Sequence, residues 1–498
     1  MLATLVLLGA ALAVIVYVLQ PKQTQLPKGT QLPSGPPGKP LVGNLLDIPP
    51  KHSWFRFLEW SKWYGPLYSL NLAGQKHVVI STEDIANDLL RERGNLYSSR
   101  MNLPMATELL SRNLRPLLLP YGDTWRNGRK LMHNLANVSV ATTYEPMQEE
   151  ESIRAVRDLL RAPEKYETWF ERYSAGLILR LAYSRPVVTG EEPFVRDVLA
   201  VVHTVERVAS PGAYLVDTFP ILMYLPYWLA PFKREGARLH NAEITLFRNL
   251  LDEGVKVGQA HPAPRTSARR GTRTGKLMTC RTTMWPEFTK LQQEIDKVVG
   301  ADRVPSFSDM AQLPRVRAVV KEVLRWRPVT AGGLPHMLVK DDTYEMPDGR
   351  SVFLEAGTAF HPVQWSIHRE AKLNPEPDEF RPERWLEPGW PTYREPLTKF
   401  PNLQNYSAFG FGRRICPGLN IAERSLYILV SRVAWSCEIS YQKTAAGDDI
   451  VPPSYDYVSG FNVQPKPFPF ALKPRQQRAE VVEREYQKAW GGGERNAS

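Results

Sequence analysis

The sequence predicts a mainly α protein with a small β-sheet region, preceded by an N-terminal transmembrane helix. Three observations carry this. Leu2 to Leu19 is an uncharged apolar run; apolar residues recur at helical spacing over most of the remainder; and strand-like alternation is confined to short stretches that begin at Pro66. The 498 residues are 43% hydrophobic, enough for a sizeable core, and the 43 prolines predict long, rigidly shaped loops between helices. No low-complexity linker divides residues 54–474, so a single large domain is expected there. Three cysteines without useful pairing fit a reducing compartment.

With Met1 and Gln20 added, the run Leu2–Leu19 is long enough to cross a bilayer, which makes residues 1–20 a signal anchor. Lys22, Lys28 and Lys39 follow it, so the positive-inside rule places the body in the cytosol. A cleaved signal peptide fits less well, because the run is too long and ends without a small-x-small site. In residues 21–53, Pro33, Pro36, Pro37 and Pro40 forbid helix and impose an extended, semi-rigid hinge. Pro66–Leu72 and Lys76–Ser81 flank Ala73-Gly74 as a hairpin, and Ser81 is the expected cap of the helix STEDIANDLLRER.

In YGDTWRNGRKLMH, Trp125 and Arg129 fall at i and i+4 on one helix face, a spacing that also fits an ordinary solvated edge. From Glu149 to Leu251 the period is helical, with expected breaks at Pro163, Pro186, Pro211, Pro220, Pro226 and Pro231. The run AYLVDTFPILMYLPYWLAPF within it fits core packing or a surface that meets a bilayer. Gly254 to Met284 differs from its surroundings: seven basic residues, no acidic residue and no periodicity predict a disordered basic loop. Two helices follow, the second with Glu322 and Arg325 at i and i+3, and residues 475–498 read as a polar, disordered tail.

The net charge of +11 admits nucleic acid, anionic membrane or an acidic protein as partner. The basic residues are scattered and no nucleic-acid motif accompanies them, which leaves membrane lipid and an acidic protein. The chemistry is concentrated in FGFGRRICPG, Phe409 to Gly418. Its glycines let backbone pass close to a flat ligand, and turn N–H groups can point at sulfur. A lone cysteine cannot hold an iron–sulfur cluster or a structural zinc, which take about four ligands, but it can be the single axial ligand of a haem. Cys280 lies in the irregular basic stretch and Cys437 in an apolar run that reads as core.

The spacing F-x-x-G-x-R-x-C-x-G resembles the haem loop of the cytochrome P-450 family, the haem-thiolate monooxygenases of fungal microsomal type. By that resemblance the cofactor is haem b, Cys416 is the axial thiolate on its iron, Arg414 pairs with a propionate, Phe409 packs beside the sulfur, and Gly412 and Gly418 shape the loop. Trp125 and Arg129 match the family helix that reaches the propionates, and His336, in PHMLVKD, matches a residue that donates to one. A satisfied structural histidine is an equal reading. Glu322, Arg325 and the Arg384 of FRPERW match a buried structural triad, while Leu334 and Phe461 face the substrate. The implied partners are an NADPH-dependent reductase, O2 and a lipophilic small molecule, and the implied place is the endoplasmic reticulum membrane in secondary metabolism.

The family also uses a long helix bearing A-G-x-D-T-T, whose acid and Thr deliver protons. No (A/G)-G-x-(D/E)-T occurs between Leu251 and Trp285, so residues 254–284 stand where that helix is expected. Three readings follow: a monooxygenase whose deduced sequence is wrong over this interval, a haem-thiolate isomerase or dehydratase that needs no O2 activation, or a catalytically dead membrane protein.

Overall fold

Alternating apolar residues on either side of Ala73-Gly74 fold as the expected hairpin. Strand β1 (Leu67–Leu72) pairs antiparallel with β2 (Gln75–Ile80), and the two turn residues hold φ of 50° and 91°. This computed structural model describes residues 26–210, 212–260, 284–475 and 477–491. Strands β3 (His336–Met337), β4 (Asp342–Glu345), β5 (Ser351–Leu354) and β6 (Ala359–Pro362) follow much later in the chain. Parallel pairing of β2 with β6, and antiparallel pairing of β6 with β3, gives a sheet of order β1-β2-β6-β3, while β4 and β5 form their own hairpin. Helix α1 (Ser53–Tyr64) buries Trp54, Phe57 and Trp60 with Tyr68 of this sheet. The proline-rich stretch before it is extended and stitched to strand edges: Gln31 N donates to Ser351 O (3.1 Å) and Ser69 N to Ser34 O (2.7 Å).

Helix α2 (Glu83–Asn87) runs on through one wider turn, Asp88–Glu92. Its cap is not the expected Ser81. The capping position is Thr82, without a side-chain bond, and the Glu83 N–H donates instead to the Glu370 carboxylate at 3.1 Å. A tertiary acceptor thus replaces the local hydroxyl.

The helical layer comprises α3 (Asp123–Ala136), α4 (Glu145–Arg161), α5 (Tyr166–Tyr183), α6 (Pro193–Val208), α7 (Pro231–Ala260), α8 (Met284–Val299), α9 (Pro314–Trp326), the short α10 (Gln364–Ile367) and α11 (Leu419–Ser436). Helix α11 is buried along almost its whole length and packs on α3, α4, α8 and α9, so it is the axis of the core. Pro231 begins α7 rather than interrupting it, because a first-turn N–H has no helical partner to lose. The aromatic run before it is largely surface: Tyr224 is 89% and Trp228 73% exposed, while Leu222 and Met223 pack inward.

Two expectations are corrected. Residues 254–260 continue α7 instead of starting a loop, for no proline occurs before Pro262 and Gly254 lets the helix lie close on α5, where a Cβ would meet Tyr183 O at 2.8 Å. Residues 477–491 of the tail are likewise ordered, after β7 (Cys437–Ser440) and β8 (Ala471–Pro474), which pair antiparallel. Helix α12 (Arg478–Trp490) buries Val481, Val482 and Tyr486, and Arg154 and Arg180 lie 4.6 and 5.4 Å from the Trp490 ring. Three apolar side chains among many charges gave too faint a period to read. Among the described residues no helix is long and apolar enough to cross a membrane; the anchor 1–20, Cys280 and most of 254–284 lie outside them.

Candidate functional site

Two short 3-10 turns, Ser407–Phe409 and Gly412–Arg414, fold the loop so that the Cys416 N–H donates to Phe409 O at 2.8 Å. Gly412 holds φ of 53°, and a Cβ there would stand 2.1 Å from Leu90 O, so the loop lies directly against the turn after α2. Gly418 leads into α11, and its N–H bonds the Cys416 sulfur. That sulfur faces a cavity of about 410 Å³ whose wall also contains Trp125, Arg129, His336, Leu334, Phe461 and Arg414. The side chains singled out from distant parts of the sequence therefore share one space. Burial pushes the Cys416 thiol above its ordinary value, while the Gly418 N–H and Arg129 favour the thiolate.

Arginines gather beside the sulfur. Arg414 donates to Ser98 O (2.6 Å), Pro116 O (3.3 Å) and Leu119 O (2.8 Å) and lies 4.4 Å from the Trp125 ring, and Arg129 donates to Ile415 O at 2.5 Å. The structure adds Arg100, which sequence reading missed. Arg100 is buried on the same wall and donates to Leu117 O, Leu334 O and Pro335 O. Burial lowers its guanidinium to about 10; burial and then the Arg100 and Arg129 charges lower Arg414 to about 9. Among the described residues none of the three pairs with a carboxylate, so the cluster calls for an anionic ligand. Haem b fits that demand, with carboxylates for the arginines and a metal for the thiolate. The signal for Arg100 was only a basic residue in YSSRMN, with no spacing to mark it.

His336 is 2% exposed, and its Nδ1 lies 2.8 Å from Tyr97 O. Burial, then Arg100, holds its imidazole well below the usual value. The neutral ring therefore carries its proton on Nδ1, bonded to the carbonyl, and turns Nε2 outward as an acceptor. Donation from Nε2 requires the imidazolium, which anions among the arginines would favour.

Behind the loop, Arg325 grips Glu322 at two points (Nε to Oε2, 2.8 Å; Nη2 to Oε1, 2.9 Å), and Arg384 Nε reaches Glu322 Oε1 at 3.3 Å. All three are at most 1% exposed, and their remaining N–H groups meet carbonyls of His368, Pro377 and Glu376. This cluster ties α9 to the chain that precedes the loop, and none of its three members lines the cavity. Cys437 is core: its thiol bonds Val433 O (3.0 Å), and burial pushes it to about 12. Among the described wall residues no acid adjoins a threonine.

A sequence profile of one family, described as Cytochrome P450, matches residues 33–249 and 287–470, breaking off over the interval that lacks the acid–threonine motif. Curated relatives agree. Cytochrome P450 monooxygenase 58 of Postia placenta is 32% identical over 473 residues, covering 89% of this chain and 88% of its own. Cytochrome P450 monooxygenase virE of Hypocrea virens is 32% identical over 490 residues (92% and 88%), and fogE of Aspergillus ruber, described likewise, is 33% identical over 494 residues (92% and 89%).

Proposed function

The chain belongs to the cytochrome P450 family, and on that premise we propose a membrane-bound haem-thiolate monooxygenase that oxidises a lipophilic small molecule with electrons from an NADPH-dependent reductase. The observation that carries the site is a lone cysteine on a cavity wall beside buried Arg100 and half-buried Arg129 and Arg414, none of which pairs with a carboxylate among the described residues. The family's cofactor is haem b, which when bound supplies O2 activation and transfer of an oxygen atom to carbon. Cys416 would ligate the metal, and Arg414, Arg129, Arg100, Trp125 and His336 would hold the carboxylate edge.

The rest follows from the chain's own residues. The Cys416 thiol must release its proton on ligation, and the Gly418 N–H and Arg129 stabilise the charge that remains. Leu334, Phe461, Ile178 and Leu181 line the cavity and favour a largely apolar substrate while excluding water. The reductase as donor, and the endoplasmic reticulum as location, rest on the resemblance, the apolar run Leu2–Leu19 and the exposed Tyr224 and Trp228.

Reduced protein with carbon monoxide is expected to show the thiolate-type band, and Cys416→Ala to lose it; an unchanged spectrum in that variant would refute the assignment. Carbonate-washed membranes should retain the full chain and release one lacking residues 1–20. A second reading, a haem-thiolate isomerase or dehydratase, is favoured by the missing acid–threonine pair. It predicts conversion of substrate without NADPH consumption.

A further inference from the structure

Away from the arginines the cavity wall is largely apolar, with Tyr144, Thr330, Asn462 and Glu206 among its polar members. Glu206, near the end of α6, is the one carboxylate among the described wall residues. It is 18% exposed, and its Oε1 accepts from Asn462 Nδ2 at 2.7 Å, with His203 Nδ1 3.6 Å from Oε2. Asn462 neighbours Phe461 in a closing hairpin, the turn of chain held by the Tyr457–Pro465 bridge, which the Val463 N–H fastens to Val329 O at 2.7 Å. The Glu206 carboxylate is therefore fixed at the cavity from two sides.

A carboxylate has about four lone-pair positions, so Glu206 can accept a further donor without releasing Asn462. We propose that Glu206 is a specificity-determining residue whose carboxylate selects a lipophilic substrate bearing a hydroxyl group. The inference rests on the haem-cavity reading above. A molecule with its hydroxyl capped would displace water from the Glu206 carboxylate and offer it no donor in exchange. Selection against it is then set by unpaired polar groups rather than by a difference in shape.

The test compares farnesol with farnesyl methyl ether, which share the apolar chain and differ in the donor. Calorimetric affinities are measured on the haem-loaded full chain, and the carbon monoxide spectrum of the same preparation reports the thiolate ligand. Farnesol is expected to bind about tenfold tighter than the ether, the size of one hydrogen bond to a charged group. Glu206→Leu should bring the ratio near one, whereas Asn462→Ala should keep it. If Glu206 merely ties the hairpin down, the two variants will behave alike, and the proposal fails. Should Glu206→Leu lose the haem, Glu206→Gln carries the test with an intermediate ratio expected, and an unchanged ratio overturns the proposal. Equal affinities in a preparation showing the thiolate band overturn the inference alone; a preparation without that band overturns the haem reading and the inference with it.

Discussion

Glu322 accepts from Arg325, Arg384, the Trp385 indole and the Arg381 N–H, and it is fully buried. Removing one cation from such a cluster leaves an unpaired charge at a cost of about 3–5 kcal/mol. Arg325→Ala is accordingly expected to yield haem-free, aggregated protein; folded holoprotein with only a lowered turnover would show that the cluster is not structural. Lys321 offers a pH-dependent counterpart. Its ammonium bonds Asn402 O (2.8 Å) near the Trp385 and Tyr406 rings, and burial lowers it to about 8 from 10.5. Between those values the unfolded chain holds a proton that the folded chain has released, so this group makes stability rise with pH across the window. Urea midpoints of wild type and Lys321→Met, measured across it, should converge on different slopes, the variant lacking the rise; parallel curves would contradict it.

At the scale of elements, α12 is a clasp that returns the end of the chain to α4. Arg157 and Arg161 meet Glu483, Arg157 lies 3.7 Å from the Tyr486 ring, and the Trp490 indole donates to Glu150 O at 3.1 Å. The Glu483 pairs, one half-buried and one reaching the exposed Arg161, contribute little beside the roughly 3–5 kcal/mol lost with a buried aromatic. Tyr486→Ala should therefore lower the melting temperature clearly, while Glu483→Ala should shift it little. Equal shifts would mean that charge, not burial, holds the helix.

For the whole molecule, the break in the family match between residues 249 and 287 coincides with the basic stretch that replaces the expected motif. We expect the functional gene product to differ there, and this chain to fail in oxidising substrate even with reductase. Transcript sequencing across the interval is the direct measurement. An abundant message encoding the basic stretch, with reductase-dependent turnover by its protein, would show the expectation to be wrong.

The sequence by itself determined the turn around Cys416, because Gly412 holds a positive φ and lies so close to Leu90 O that no Cβ fits. It also determined the hairpin at Ala73-Gly74, the helices around Glu322 and Arg325, and the buried role of Cys437, all set by local period and turn chemistry. Only the tertiary structure decided what depends on residues far apart in the chain. Arg100 becomes a site residue because α9's following loop brings Leu334 and Pro335 to it, and Glu370 displaces Ser81 as the cap of α2. Helix α12 exists because α4 supplies the surface that its three apolar residues lack, and Glu206 faces Asn462 because the closing hairpin returns over the cavity. Spacing within a segment fixes its own geometry; which carbonyl, carboxylate or ring it meets is fixed by packing.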